Sequence, residues 1–310
     1  MISNQYRKLI YLILILIPIS GNSQTVYRKP NSFFASDTIL NKKKVYFCSA
    51  TAGLALIGTY TGLGAIWYSG EEKSPFHFFN DSQEWLQMDK VGHAYSAYQV
   101  SRIMSQAFVW SGVKYKTATW LGSGIGWLMI SPVEIFDGFS PKYGASATDL
   151  VANASGSALN LLNGLVWQEQ RLQLKFSFHP SGYAQFHTAQ LGSTPIEQIF
   201  KDYNGQTYWM SVRVHSFLPE GLLKKKYPRW LNLAVGYGGE GMTGGYFIEP
   251  WGAIHSREYR QFYLGLDIDL SNIKTRIGFL DAALGVLNMV RIPMPALEFS
   301  KKGVKAYGFF

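Results

Sequence analysis

Cysteine is nearly absent. The 310-residue chain holds one, Cys48, so no internal disulfide staples it and its stability must come from packing. Charge is scarce too: 16% of residues are Asp, Glu, Lys or Arg, against a usual share of about 25%. Acid is the scarcer sign, with 20 Asp and Glu against 29 Lys and Arg, a formal net charge of +9. Apolar residues make up 47%, with 20 Phe, 19 Tyr and 9 Trp. That composition excludes a disordered chain and leans toward a membrane or envelope protein. The basic residues, Lys42-Lys43-Lys44 and Lys224-Lys225-Lys226 among them, are scattered and accompany no nucleic-acid module. A positive surface facing anionic lipid or lipopolysaccharide is the favoured reading, and no nucleic acid is expected as a partner. There is no internal repeat and no low-complexity tract.

The N-terminus reads as a secretory signal over residues 1–23. Arg7 and Lys8 precede an apolar run, Leu9 to Ile19, that is too short to span a bilayer easily, and Gly21-Asn22-Ser23 offers small residues before a cut near Gln24. An uncleaved anchor is the alternative. No cysteine follows the apolar run, which argues against a lipid-anchored N-terminus. Residues 24–44 read as a polar leader.

Val45 to Tyr68 carries no charge and is long enough to cross a bilayer, but Gly53, Gly58, Gly62 and Gly64 dilute it. A membrane span and a buried bundle helix both fit. An aromatic, charged loop follows. A helix is expected from Met88 to Trp110, ended by Ser111-Gly112. Thr117 to Phe136 is the next apolar helix. Ala118, Gly122 and Gly126 share a face that leads to Glu134, and Pro132 should kink it. Ser146 looks like an N-cap for a helix reaching Leu162. On that helix Asp149, Asn153, Gly156 and Asn160 form one narrow polar face.

After Gln170 the period falls to two. Strands are expected at Arg171 to Phe178, Tyr208 to Val214, Leu231 to Tyr237, Gln261 to Leu270 and Val304 to Phe310. Residues 273–288 have helical spacing. The fold expected is α+β. An N-terminal helical bundle over residues 45–168, with apolar helices suited to a membrane, precedes an antiparallel β domain over 171–310. The β half could close into a small barrel: its last strand ends in Phe310, as outer-membrane barrel strands do. A periplasmic β domain fits as well.

Polar residues stand out in the apolar helices. Asp89 and His93 are spaced i, i+4, Glu134 and Asp137 i, i+3, and Asp149 and Asn153 i, i+4. Lone buried charges are costly, so these residues should meet. Three helices each delivering a ligand can hold a divalent cation, of the oxygen-preferring kind because there is one His and no Cys. Equally, His93 with Asp89, Glu134, Asp137 or Asp149 can form an acid/base pair. A third reading is a structural network in which Lys90 pairs across helices, with Ser146, Asn153 and Asn160 as further members. His77, His179, His187, His215 and His255 read as surface residues.

The run Trp85-Leu86-Gln87-Met88-Asp89-Lys90-Val91-Gly92-His93, followed by Glu134 to Gly138 and by Ser146, Asp149, Asn153 and Gly156, resembles the YfiM-like envelope proteins of unknown function. The β half resembles the extension of longer members from Bacteroidota-type bacteria. The same order of motifs is more distantly similar to VanZ-like membrane proteins, which lack a β half. The resemblance implies export and an envelope location, and no established activity. An exported, membrane-associated protein is therefore expected, at the outer membrane with the inner membrane as alternative. Its role would be structural or in assembly, with membrane lipid or envelope proteins as partners. The alternative is an enzyme or binder for anionic lipid or cell-wall precursor head groups.

Overall fold

The computed structural model describes residues 37–310 apart from 38, 68–73, 142, 246–257 and 276. The signal sequence, most of the leader and His255 lie outside the described residues.

The helical half consists of α1 (Lys42–Trp67), α2 (Met88–Trp110), α3 (Tyr115–Ile130), the short α4 (Val133–Asp137) and α5 (Ala147–Leu162). α2 is its centre, with α3 and α5 packed along it. Small residues make that approach possible. A Cβ at Gly126 would stand 2.0 Å from Ser101 Oγ, and one at Gly156 only 1.9 Å from the Ala94 carbonyl oxygen. Between the helices the polar stripe of α5 is buried and bonded: Asn160 Nδ2 donates to Ser105 Oγ (2.9 Å) and Ser123 Oγ (2.8 Å), and its Oδ1 accepts from Gln170 Nε2.

Three consecutive left-handed residues precede α2, and none is glycine: Trp85 (φ 50°), Leu86 (φ 52°) and Gln87 (φ 65°). Each costs roughly 1–2 kcal/mol for an L-residue. The β half holds the turn in place. Leu86 is buried with Met88, Tyr208 and Met242, and its carbonyl accepts from the Tyr237 hydroxyl. Trp85 N donates to Gly245 O at 2.8 Å, and Arg260 donates to Gln87 Oε1 at 2.6 Å.

Two expectations are overturned here. Among the described residues no helix is long and apolar enough to cross a membrane. Glycine, threonine and serine dilute α1. The helix expected from Thr117 to Phe136 stops at Ile130, turns through Ser131-Pro132 and restarts as α4. At 1.5 Å per residue, α3 is about 24 Å long, short of a hydrocarbon core of about 30 Å.

The barrel is the other. The β half is an open antiparallel sheet, β1 (Leu172–Phe178), β2 (Gln206–Val212), β3 (Leu231–Glu240), β4 (Tyr259–Ile268), β5 (Ala296–Ser300) and β6 (Gly303–Tyr307), in sequence order. Among the described residues β1 and β6 are its edges. At the β1 edge, Phe176 bonds instead to Met289 and Arg291 of the segment after α6 (Gly278–Leu287).

The sheet buries charge on one face and exposes large apolar side chains on the other. The buried face is mixed: beside a cluster of Trp209, Ala234, Tyr263 and Ala296, Lys175 and Asp267, both 0% exposed, pair at 2.7 Å, and Asp267 also accepts from Ser211 Oγ. Nearby, the Arg291 guanidinium lies 3.9 Å over the Trp209 ring. The opposite face leaves Leu233, Val235, Phe262, Leu264, Leu297, Phe299 and Val304 exposed.

Candidate functional site

Three helix ends and one loop meet beside the strained turn. α2 supplies Asp89, Lys90 and His93 from its first turns, α4 supplies Glu134, and α5 supplies Asp149 and Asn153. Ser146 caps α5 as expected, accepting from Asp149 N at 3.1 Å, while its own N–H donates to Glu134 Oε2 at 2.9 Å. That bond ties the α4 acid to the start of α5.

Lys90 is the hub. Its Nζ lies 2.5 Å from Asp81 Oδ2, 3.0 Å from Asp89 Oδ2 and 3.0 Å from Asp149 Oδ1. Asp81 also accepts from Ser146 Oγ (2.6 Å) and Thr148 Oγ1 (2.9 Å). Tyr203, from the loop before β2, donates to Asp89 Oδ1 at 2.8 Å and links the two halves of the chain.

His93 faces the other way. Its Nδ1 bonds Asn153 Oδ1 at 3.1 Å, which leaves Nε2 3.7 Å from Asp89 Oδ1 and 3.8 Å from Glu134 Oε1. Glu134 is only 3% exposed, and its Oε1 is buried with no hydrogen-bond partner. The side chains of His93 and Asp89 keep 17% and 24% of their surface open to solvent.

The charges of this cluster are unevenly held. Burial works against the charge of Asp81, but hydrogen bonds from Lys90 and Ser146 overcome it and hold the acid at about 2. Burial likewise opposes ionised Asp89, yet His93 and Lys90 keep it below the usual range. For Lys90, the carboxylates of Asp89, Asp81 and Asp149 more than offset burial and keep the ammonium charged. Burial would neutralise His93, but Asp89, Asp149 and Glu134 raise it. Two acids go the other way: burial, with Asp149 and Asp137 adding, pushes Glu134 up to about 8, and burial with Asp89 pushes Asp149 up to about 7. Two carboxyl groups therefore exchange protons near neutral pH beside an imidazole, a poise common at working sites.

The residues expected to converge are placed as follows. Asp89, Lys90, His93, Glu134, Ser146, Asp149 and Asn153 share one cluster. Asp137, one turn on from Glu134 in α4, acts on Glu134 through its charge. Asn160 belongs to the separate bonds with Ser105, Ser123 and Gln170. Sequence reasoning did not find Asp81 or Tyr203. Asp81 has a faint signal, an Asn80-Asp81-Ser82 run one loop before Asp89. Tyr203 has none, being 114 residues from its partner. Of the histidines read as surface residues, His77, His187 and His215 are half-buried and His179 is exposed.

Fold and cluster together define an α+β protein whose helical half carries a half-buried carboxylate–histidine–lysine site. Residues 77–164 of this chain match a family described as "Predicted periplasmic lipoprotein (DUF2279)". The match spans α2 to α5 and every cluster residue except Tyr203. It supports an exported envelope protein of unknown function and does not separate outer from inner membrane. The term lipoprotein belongs to the family's description: the one cysteine of this chain, Cys48, is buried in α1 against Ser111. No curated protein and no solved structure matches the chain.

Proposed function

We propose that this envelope protein binds a divalent cation at the corner formed by His93 Nε2, Asp89 Oδ1 and Glu134 Oε1, with Asp149 beside it. The observation that carries this is the unpartnered, buried Oε1 of Glu134 facing His93 Nε2 at 3.8 Å. Asp89, His93 and Asp149 also present ligand atoms that all lie within 4.8 Å of one another. Metal bonds of about 2.0–2.1 Å set tetrahedral ligands roughly 3.4 Å apart. The two separations from His93 Nε2, 3.7 and 3.8 Å, are near that value, and the Asp89, His93 and Asp149 group, within 4.8 Å, must draw in further as the ion binds. Charge agrees. Once His93, Glu134 and Asp149 give up their protons as the ion binds, four carboxylates, Asp81, Asp89, Glu134 and Asp149, face the single ammonium of Lys90, and a divalent ion offsets most of the remaining charge. One imidazole among carboxylates suits Mn²⁺ or Zn²⁺. A cation held here would lie beside the solvent-exposed parts of His93 and Asp89, where an anionic group of an envelope molecule can reach it.

The test is calorimetric titration of the metal-stripped full chain with Mn²⁺, Zn²⁺ and Mg²⁺. One saturable site is expected, lost in His93→Ala and Glu134→Ala and kept in Asp137→Asn. Binding that ignores both alanine variants, or no binding at millimolar metal, overturns the proposal.

A second reading has its own observation. Lys90 already joins three acids, and Tyr203 joins Asp89 across the halves. On that reading the cluster is a strut in a protein of structural or assembly role, and metal leaves stability unchanged. The YfiM-like resemblance and an outer-membrane address belong to this proposal too. The match over residues 77–164 supports an envelope protein, and the exposed apolar face of the sheet supports membrane association.

A further inference from the structure

At the end of the sheet where β1 begins and β2 ends lies a cavity of about 420 Å³, apart from the cation corner. That volume is in the range of small-ligand sites, about 300–1,000 Å³. Its walls carry five cationic side chains, Arg171, Arg213, Lys224, Lys225 and Arg229, against two carboxylates, Glu169 and Glu220. Both carboxylates are engaged: Glu169 Oε1 accepts from Arg171 Nε at 2.6 Å, and Glu220 Oε1 from Lys224 at 2.5 Å. Arg213 is turned inward, donating to buried Asp269 at 2.7 Å. Lys225 and Arg229 are exposed at the mouth. The field inside is positive on balance. His215, which lines the cavity, is held below the usual imidazole range by burial and by Arg229 and Lys224, which outweigh the two glutamates.

The surroundings of the mouth are apolar. Phe217 (48% exposed), Leu223 (63%) and Trp230 (37%) are next to cavity residues in sequence, and Leu222 (75%) lies two residues from Glu220. Leu222 and Leu223 share one short helix, Leu222–Lys226, with Lys224, Lys225 and Lys226. A soluble anion needs only the cations; large apolar side chains around them are the composition of a surface that meets a lipid interface, where Trp and basic residues sit at headgroup level.

We infer that this cavity takes the phosphate-bearing headgroup of an anionic lipid, with Phe217, Leu222, Leu223 and Trp230 resting in the interface. Lys225 and Arg229 meet the phosphate at the mouth, and Arg171 lies deeper, its guanidinium between the Trp167 and Phe217 rings at 5.5 and 5.2 Å. The inference is independent of the cation at His93.

The experiment is co-sedimentation of the full chain with phosphatidylcholine vesicles, with and without phosphatidylglycerol. Binding is expected only with phosphatidylglycerol. Lys225→Ala/Arg229→Ala should weaken it roughly ten- to thirtyfold, since each basic residue near an anionic surface is worth about 1 kcal/mol. Lys42→Ala/Lys43→Ala removes the same charge elsewhere on the surface and should change binding by less than about threefold. Leu222→Ser/Leu223→Ser should weaken vesicle binding while circular dichroism shows the fold intact. Equal losses in the two charge variants would mean general attraction and overturn the site. Equal binding to pure phosphatidylcholine, or no vesicle binding, would also overturn it. Saturable binding of inorganic phosphate without vesicle binding would assign the cavity to a soluble anion and overturn the lipid.

Discussion

Glu134→Gln should make the metal-free protein more stable at alkaline pH. Burial places the Glu134 carboxyl at about 8 in the native protein, against 4.5 for an ordinary glutamate. Across that window the native state keeps a proton that the unfolded chain has released. Stability therefore falls as pH rises from about 4.5, and the loss is complete above about 8. At roughly 1.4 kcal/mol per pKa unit, the shift caps the loss at about 5 kcal/mol. Glutamine retains an oxygen for the Ser146 N–H, which Glu134 Oε2 accepts at 2.9 Å, and puts an amide where the unpartnered oxygen faced His93. The assay is urea unfolding of both proteins in chelator at pH 5 and pH 9. Near pH 5 the two should lie within about 1 kcal/mol, and by pH 9 the variant should lead by several. Mn²⁺ or Zn²⁺ should reverse the order, because only the wild type keeps the ligand. Parallel stability curves across this range, or a variant weaker at pH 9, would refute the account of Glu134 as a buried, uncompensated acid.

Lys90→Met should cost about 3–5 kcal/mol by urea denaturation, because Asp81, Asp89 and Asp149 lose the ammonium that each contacts at 2.5–3.0 Å. Tyr203→Phe removes a 2.8 Å bond to ionised Asp89 and should cost about 1.5–3 kcal/mol on the same measurement. Gly156→Val forces α5 away from the Ala94 carbonyl, which a Cβ would meet at 1.9 Å; a drop of about 1–3 kcal/mol or more is expected, with a fall in melting temperature as the readout. Cation affinity should climb between pH 6 and pH 8, since protons held by Asp149 (about 7) and Glu134 (about 8) must leave when the ion binds. Calorimetry at a pH-independent affinity would contradict it.

Much of the helical half is legible in the chain. Met88 to Trp110 is bounded by its own stop signal, and Ser146 with Asp149 three residues on announces the start of α5. The spacing of Gly122, Gly126 and Gly156 foretells close helix contacts because a missing Cβ is a local property with a tertiary consequence. The cost of burying charge is what singles out Asp89, Lys90, His93, Glu134 and Asp149 in the chain, and the fold sets them in one cluster. The membrane spans failed for a reason also present in the chain: Ser131-Pro132 divides the segment before it reaches bilayer length, and small polar residues dilute α1. β5 went unseen because five residues behind Pro293 and Pro295 carry too little alternation to register.

By itself the sequence determined periodicity and local chemistry: which residues share a helix face, where period four gives way to period two near Gln170, and which acids sit in apolar company. These follow from side-chain spacing along one element. Tertiary structure alone decided which of two faces is buried. Alternation in β3 and β4 says that Leu233 and Asn232 point oppositely, but only the inward pairing of Lys175 with Asp267 turns the charge-bearing face in and the leucines out. It also decided the left-handed turn at Trp85 to Gln87, which no glycine announces and which Tyr237, Gly245 and Arg260 hold from far along the chain. Tyr203 reaching Asp89, and Arg171 meeting Arg229 around one cavity, belong to the same class. Contacts between elements depend on how the two halves dock, and no spacing within either half encodes that.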